Sequence, residues 1–423
     1  MPSAKMSVQV TTLASGLRIV TDRMDSVETV AVGAWVAAGT RHETAEVNGI
    51  SHLLEHMAFK GTARRTAQMI AEEMDNVGGQ LNAYTSRDHT AYYATVLKED
   101  LALAVDIIAD ILLNPAMDAG DLAKEQHVVV QEIYQADDTP DDIIFDHFQA
   151  TAFKNQPMGW PVLGKEKIVR AITPERLKAY LAAHYAADTV IVSAAGAVDH
   201  DVFAKLVEAA FAALPARAAV SEARATYNGG DFREDRDLEQ VHLVLGFGGL
   251  SFNDADYYNL GALSTILGEG MSSRLFQEIR EKRGLAYSVF SSTQAFSDCG
   301  LVQIYMGTGI DDVPQLIPLL CGEIRKITDG VSADEIKRAR AQTKAGLLMS
   351  MESPSSRCSQ RARQIMIYGK PMSTPELMAK VEAVDAAGIN RAAARVFTTA
   401  PTFAALGNLK TLEDFAVIKA RLQ

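Results

Sequence analysis

"GISHLLEHMAFKGT", residues 49–62, sets Ile50, Leu53, Leu54 and Met57 at the spacing of one helical face, with His52, Glu55 and His56 between them. That periodicity predicts a helix over residues 50–59. On a helix, positions i, i+3 and i+4 fall within roughly a 100° arc, so the two histidines and the glutamate share a second face. Two imidazoles one turn apart can hold the same divalent ion. The carboxylate between them then stands beside the ion without ligating it.

Working outward, "VAVGAWVAAG" (30–39) reads as a strand, and "LNAYTSRDHTAYYATVL" (81–97) as two strands joined by a polar turn. "EDLALAVDIIADILLNP" (99–115) is an amphipathic helix that Pro115 closes. A long helix over 119–135, "AGDLAKEQHVVVQEIYQ", precedes the acidic break "ADDTPDD". The order then recurs. "VHLVLGFGGL" (241–250) is a strand, and 257–283 is helical around the glycine-rich "ILGEGMSSRLF". Strands follow over 286–309, and "DDVPQLIPLLCGEIRKI" supplies a helix.

Two copies of one α+β unit explain this order. Each is expected to be an antiparallel sheet with helices packed mainly on one face. The expected division is 1–215, a linker over 216–235 that flexes at Gly229-Gly230, and 236–423. The second copy carries no HxxEH, so the halves differ in chemistry.

The totals narrow the function classes. A chain of 423 residues with 48% hydrophobic and 22% charged residues is ordinary globular material for two domains. The net charge of −12 argues against nucleic acid as partner and suits cationic partners. Cys299, Cys321 and Cys358 fit neither a zinc spacing nor a disulfide framework. No apolar run is long enough for a bilayer, so no membrane association is expected. The start, "MPSAKMSVQVTTLASGLRIV", alternates like a strand and lacks a signal-peptide core, which predicts a reducing, cytoplasmic location. The glycine-rich loop has no P-loop lysine and is no nucleotide site.

Two histidines leave a zinc site incomplete. Glu125 and Glu132 in "EQHVVVQEIYQ" lie seven apart on one helix face, opposite an apolar face through Val128 and Val129. Either carboxylate completes a His₂Glu set and leaves a fourth position open to water. The competing reading of both is a solvated helix face.

"HLLEHMAFKGT" followed by "GGQLNAYTSRDHTAYY" resembles the inverzincin (pitrilysin/insulinase) family of zinc peptidases, in particular its processing-peptidase β subunits and their bacterial relatives. In that family the third ligand is a glutamate 76 positions beyond the second histidine, and 132 − 56 = 76. The resemblance therefore implies His52, His56 and Glu132 as ligands of one Zn²⁺, Glu55 as general base and Glu125 as a supporting group. It implies that an extended peptide adds to the strand at Asn82 and Ala83. It assigns Arg283 to a substrate carbonyl and Tyr287 to the oxyanion, where the residues alone suggest a charge in a last helical turn and a routine strand aromatic. Asp142 and Asp146, one turn apart, match acidic residues that receive an arginine near the cleavage site; otherwise they are an acidic surface turn.

The expectation is a zinc metalloendopeptidase for unfolded or presequence-like basic peptides. Family members enclose the site between two such pairs of units, so a homodimer, or a heterodimer with a related subunit, is expected. Two rivals are a noncatalytic assembly subunit of the same fold and a small-molecule zinc hydrolase.

Overall fold

The structure, a computed structural model, describes residues 7–218 and 224–423. Residues 1–6 of the expected opening strand segment and 219–223 of the expected linker lie outside it. Two compact units form. Among the described residues the first comprises 7–133, 161–218 and 347–372, and the second 134–160, 224–346 and 373–423.

In the first unit a six-stranded sheet has the order β1-β2-β6-β3-β5-β4. The strands are β1 (Val8–Thr12), β2 (Arg18–Arg23), β3 (Thr29–Val36), β4 (Gln80–Thr85), β5 (Thr90–Leu97) and β6 (Val190–Gly196). Helices α1 (Ile50–Ala58), α2 (Ala67–Asp75), α3 (Leu101–Leu113) and α4 (Ala119–Asp137) come from the first part of the chain. Alternate residues of the strands divide the sheet's two faces. Val30, Val32, Ala34 and Val36 of β3 join Leu53, Leu54 and Met57 of α1 and Ile107, Ile108 and Ile111 of α3 in the main core. Ala31 and Trp35 point the other way.

In the second unit the order is β7-β11-β8-β10-β9. Its strands are β7 (Gly230–Asp235), β8 (Val241–Gly248), β9 (Ala286–Ala295), β10 (Gly300–Thr308) and β11 (Thr402–Gly407). Strand for strand this repeats β2-β6-β3-β5-β4, and β1 is the addition. The expected α+β repeat is present, with two differences. Each sheet contains one parallel pair, β2 with β6 and β11 with β7, so neither is purely antiparallel. The returning strand of each unit arrives after a run of helices, and such a crossover permits a parallel neighbour. Gly230, expected as part of a hinge, opens β7; both it and Gly229 have positive φ, as the turn into that strand requires.

The units are also not contiguous in sequence. Helix α5 (Pro140–Ala152), from the first half of the chain, belongs to the second unit and packs on β11, β8 and β7. Its Ile144 and Phe148 bury against Val244, Tyr305 and Leu406. Among the later helices, numbered here in continuation, α6 (Pro354–Tyr368) belongs to the first unit. Its Cys358, Ala362 and Ile365 cover Val20, Ala31, Trp35 and Ile191 on the face opposite the main core. A division at 215/236 by sequence order does not capture this exchange. The physical reason is that each sheet has two apolar faces, and the helices of its own stretch of chain cover only one.

A buried ion pair fixes α6 to its sheet. Asp22 is fully buried and accepts from Arg361 Nε at 2.8 Å and from Arg357 Nη1 at 3.2 Å. Arg361 is 2% exposed. Asp22→Ala leaves its guanidinium buried without a counter-charge, so unfolding in denaturant should show a loss of about 3–5 kcal/mol.

Candidate metal centre

Helix α1 begins without a side-chain cap. Its N-cap is Gly49, in the left-handed region at φ 94°, where an added Cβ would lie 2.8 Å from Gly164 Cα and from the Leu163 carbonyl. The missing acceptor comes from upstream. The Glu43 carboxylate, 4% exposed, accepts from the amides of Gly49 (2.8 Å) and Ser51 (2.9 Å) and from Asn48 Nδ2 (2.9 Å). Burial raises its pKa, and the donors from Ser51, Asn48 and Gly49 oppose that rise. Glu43 therefore ties down the first turn of the helix that carries the histidines.

From there α1 buries Ile50, Leu53, Leu54 and Met57, which turns His52, Glu55 and His56 onto its half-buried face. The third member comes from α4. Glu132 Oε2 lies 3.8 Å from His52 Nε2 and 3.6 Å from His56 Nε2. One donor atom from each residue falls within 4.8 Å of the others, and among the described residues this is the group of three or more acid, cysteine or histidine side chains able to hold a metal ion.

The donor set fits zinc. Four-coordinate zinc with bonds near 2.05 Å needs neighbouring donors about 3.3 Å apart, and the two N–O separations are slightly wider than that. Glu132 Oε2 is buried with no hydrogen-bond partner, although two imidazoles face it. The His52 pKa is pushed down to about 3, by burial first and then by His56, so its ring is neutral near pH 7 and able to ligate.

The two glutamates, equivalent by spacing, differ in their contacts. Glu132 faces the Nε2 atoms. Glu125, two turns earlier and 6% exposed, accepts from His56 Nδ1 at 3.0 Å. Because a carboxylate only accepts, His56 donates to it through Nδ1, which turns Nε2 toward Glu132 as the ligating nitrogen. Val129 and Val130 form the buried stripe of α4, whereas Val128, expected there, is 40% exposed.

Glu55 is not within the donor group. Thr85 Oγ1 donates to its Oε2 at 2.6 Å. Burial raises the Glu55 pKa; the Thr85 bond and His56 oppose that shift, and Glu132 adds to it. Thr85 ends β4, the outer strand of its sheet. Asn82 and Ala83 lie on the same strand; Asn82 is exposed and its Oδ1 accepts from the Ala83 amide at 2.8 Å. A groove of about 660 Å³ beside β4 is lined by Phe59, Ile70, Met74, Leu81, Asn82 and Tyr93, among others.

The remaining predicted residues belong to the second unit. Arg283 Nη1 donates to the carbonyl and the carboxylate of Glu278, both at 2.7 Å. Tyr287, on β9, is 75% exposed; the Arg280 guanidinium lies 4.4 Å from its ring centroid and donates to its carbonyl at 2.9 Å. Asp142 and Asp146 sit one turn apart on α5, the first exposed and the second half-buried. Three functional neighbours escaped the sequence reading: Glu43, Thr85 and Lys60, whose ammonium bonds Glu125 Oε1 at 2.8 Å. Only Lys60 left a signal, lying one turn beyond His56.

A helix-borne HxxEH with a carboxylate from a second helix makes a candidate divalent-metal site of inverted-motif type on a repeated α+β fold. The chain belongs to peptidase family M16. Residues 18–166 match the family described as Insulinase (Peptidase family M16), and residues 171–343 match the M16 inactive domain. The uncharacterized zinc protease YmxG of Bacillus subtilis is 38% identical, over 92% of this chain and 95% of its own length. An uncharacterized zinc protease of Rickettsia bellii is 39% identical, over 95% and 98%. In fold, a protease from Helicobacter pylori superimposes with a TM-score of 0.88 at 22% identity, over 95% of this chain and 99% of its own. A peptidase M16 inactive domain from Pseudomonas fluorescens gives 0.87 at 20%, over 95% and 97%. No helix among the described residues is long and apolar enough to cross a membrane.

Glu43→Ala removes the shared acceptor of three buried donors. Denaturant unfolding should report a loss of about 3 kcal/mol, since each stranded donor costs roughly 1–3 kcal/mol before water enters.

Proposed function

We propose that this chain is a zinc-dependent endopeptidase that cleaves extended peptide segments, with His52, His56 and Glu132 holding the metal. The observation that carries the proposal is the meeting of the Nε2 atoms of His52 and His56 with one unpartnered carboxylate oxygen of Glu132, beside a glutamate outside that group. Bound by these donors, zinc supplies Lewis acidity toward a water molecule and a scissile carbonyl.

The protein's own groups do the rest. Glu55, held by Thr85, takes the proton of the attacking water and returns it to the leaving amine. Its raised pKa favours both transfers. The open edge of β4 offers backbone groups to a peptide in extended form, and such pairing is indifferent to side-chain identity. An incoming strand at Ala83 competes with Asn82 Oδ1 for the amide, so Asn82 moves on binding. The groove along β4 accepts an apolar side chain of the substrate.

The family resemblance supports Arg283 as the contact to a substrate carbonyl and Tyr287 as a donor to the oxyanion. Arg283 must leave Glu278 to act. The same resemblance supports a dimer, of two copies or with a related subunit. The inactive-domain match spans residues 171–343, which contain none of the donor residues.

The test is hydrolysis of a quenched fluorescent peptide containing arginine, abolished by chelator and restored by zinc. Glu55→Gln should retain zinc yet lose turnover by a factor of about 10²–10⁴. Near-parental turnover in that variant rules out Glu55 as the base. Metal-free, inert protein that still assembles favours a scaffold instead.

Asp142 and Asp146 are proposed to receive a guanidinium of the substrate. The double change to Asn should raise KM for arginine-containing peptides by tenfold or so while leaving neutral peptides unaffected, since a charged hydrogen bond contributes about 1.5–3 kcal/mol. An equal loss on both peptides removes the assignment.

A further inference from the structure

We propose that Lys60 is a positioning residue of the metal centre, acting through Glu125 to fix the ring of His56 for ligation. The inference rests on the metal-centre reading above and adds to it a residue that takes no part in the donor set. Lys60 Nζ lies 2.8 Å from Glu125 Oε1, and His56 Nδ1 lies 3.0 Å from Glu125 Oε2. Each oxygen of one buried carboxylate is thus taken by a different cationic or N–H donor. Glu125 is 6% exposed, whereas the Lys60 side chain is 35% exposed and reaches the site from solvent.

The geometry divides the work. A carboxylate with one bonded oxygen keeps rotational freedom about its terminal torsion, a broad and shallow well. With Lys60 holding Oε1, the plane of the group is set and Oε2 stays aimed at Nδ1. A proton held on Nδ1 leaves the lone pair on Nε2, the nitrogen that faces Glu132 Oε2 at 3.6 Å. A partner on the far nitrogen of a metal-bound histidine sets both tautomer and ring orientation, and its loss typically weakens metal binding 10- to 100-fold. His52 has no such support; its Nδ1 is buried without a hydrogen-bond partner. The pre-setting of the pair therefore falls on His56, and through it on Lys60.

The chain order makes the link local. Lys60 follows His56 by four residues, and its amide donates to the Met57 carbonyl at 3.2 Å, so the end of α1 carries the ammonium back beneath the helix. Simple electrostatics predicts the opposite effect. A cation near a dication site repels the metal, and its removal should then tighten binding. The sign of the change decides between the two.

The experiment uses the full chain, stripped of metal and titrated with Zn²⁺ against a chromophoric competing chelator. Lys60→Met should weaken zinc binding 10- to 100-fold, and Lys60→Arg, which restores a charged donor, should return it to within about threefold of the parent. Unchanged or tighter binding in Lys60→Met overturns the proposal, as does an arginine variant no better than methionine. Imidazole ¹⁵N shifts of the metal-free parent give an independent reading that needs no variant. The His56 ring should carry its proton on Nδ1, and a ring protonated mainly on Nε2 overturns the assignment. His56→Ala is the control: if neither it nor the parent takes up zinc, the metal-centre reading itself falls. If the parent binds and Lys60→Met binds equally well, only the role of Lys60 falls.

Discussion

Three donor atoms that repel or ignore one another are held together by the packing around them. The Nε2 atoms of His52 and His56 stand 3.8 and 3.6 Å from Glu132 Oε2, and that oxygen gains no hydrogen bond from their closeness. Their approach is imposed by the register of α1 against α4. That register depends on apolar contacts beneath both helices, on the Glu43 acceptor at the start of α1, and on the buried Glu125 between the helices. A site of this kind is brought together by packing around it, with no bond between the donors themselves. Its geometry is consequently a property of the fold rather than of the ion.

The repeat shows how chemistry can sit on one copy alone. Both sheets share the same order of five strands, and β4 in the first unit and β9 in the second occupy the matching edge position. The helix that follows β3 carries HxxEH, and the stretch that follows β8 carries none. The shared architecture supplies scaffolding twice, while the donor set depends on a handful of polar residues on the facing sides of α1 and α4.

Much of this was legible in the sequence because it is local. The periodicity of 49–62 set the histidines on one face, and the strand pair at 81–97 and the helices at 99–115 and 119–135 follow from pattern and from Pro115. The choice between Glu125 and Glu132 was not local. Both lie on one face two turns apart, and only packing against α1 decides which reaches Nε2 and which reaches Nδ1. Glu43, Thr85 and Lys60 act through tertiary contacts that leave little or no trace in residue spacing. The exchange of α5 and α6 was hidden for the same reason, since a helix that covers the far face of a sheet looks like any amphipathic helix until its partner surface is known.

That exchange bears on how the gene for such a protein can be divided. A cut within residues 216–235 would leave the first fragment without α6 and the second without α5. Trp35, Ala31 and Ile191 would then face water on one side, and Val244 and Leu406 on the other. Neither piece would cover both faces of its own sheet, so separately made halves could finish folding only by trading these helices with each other.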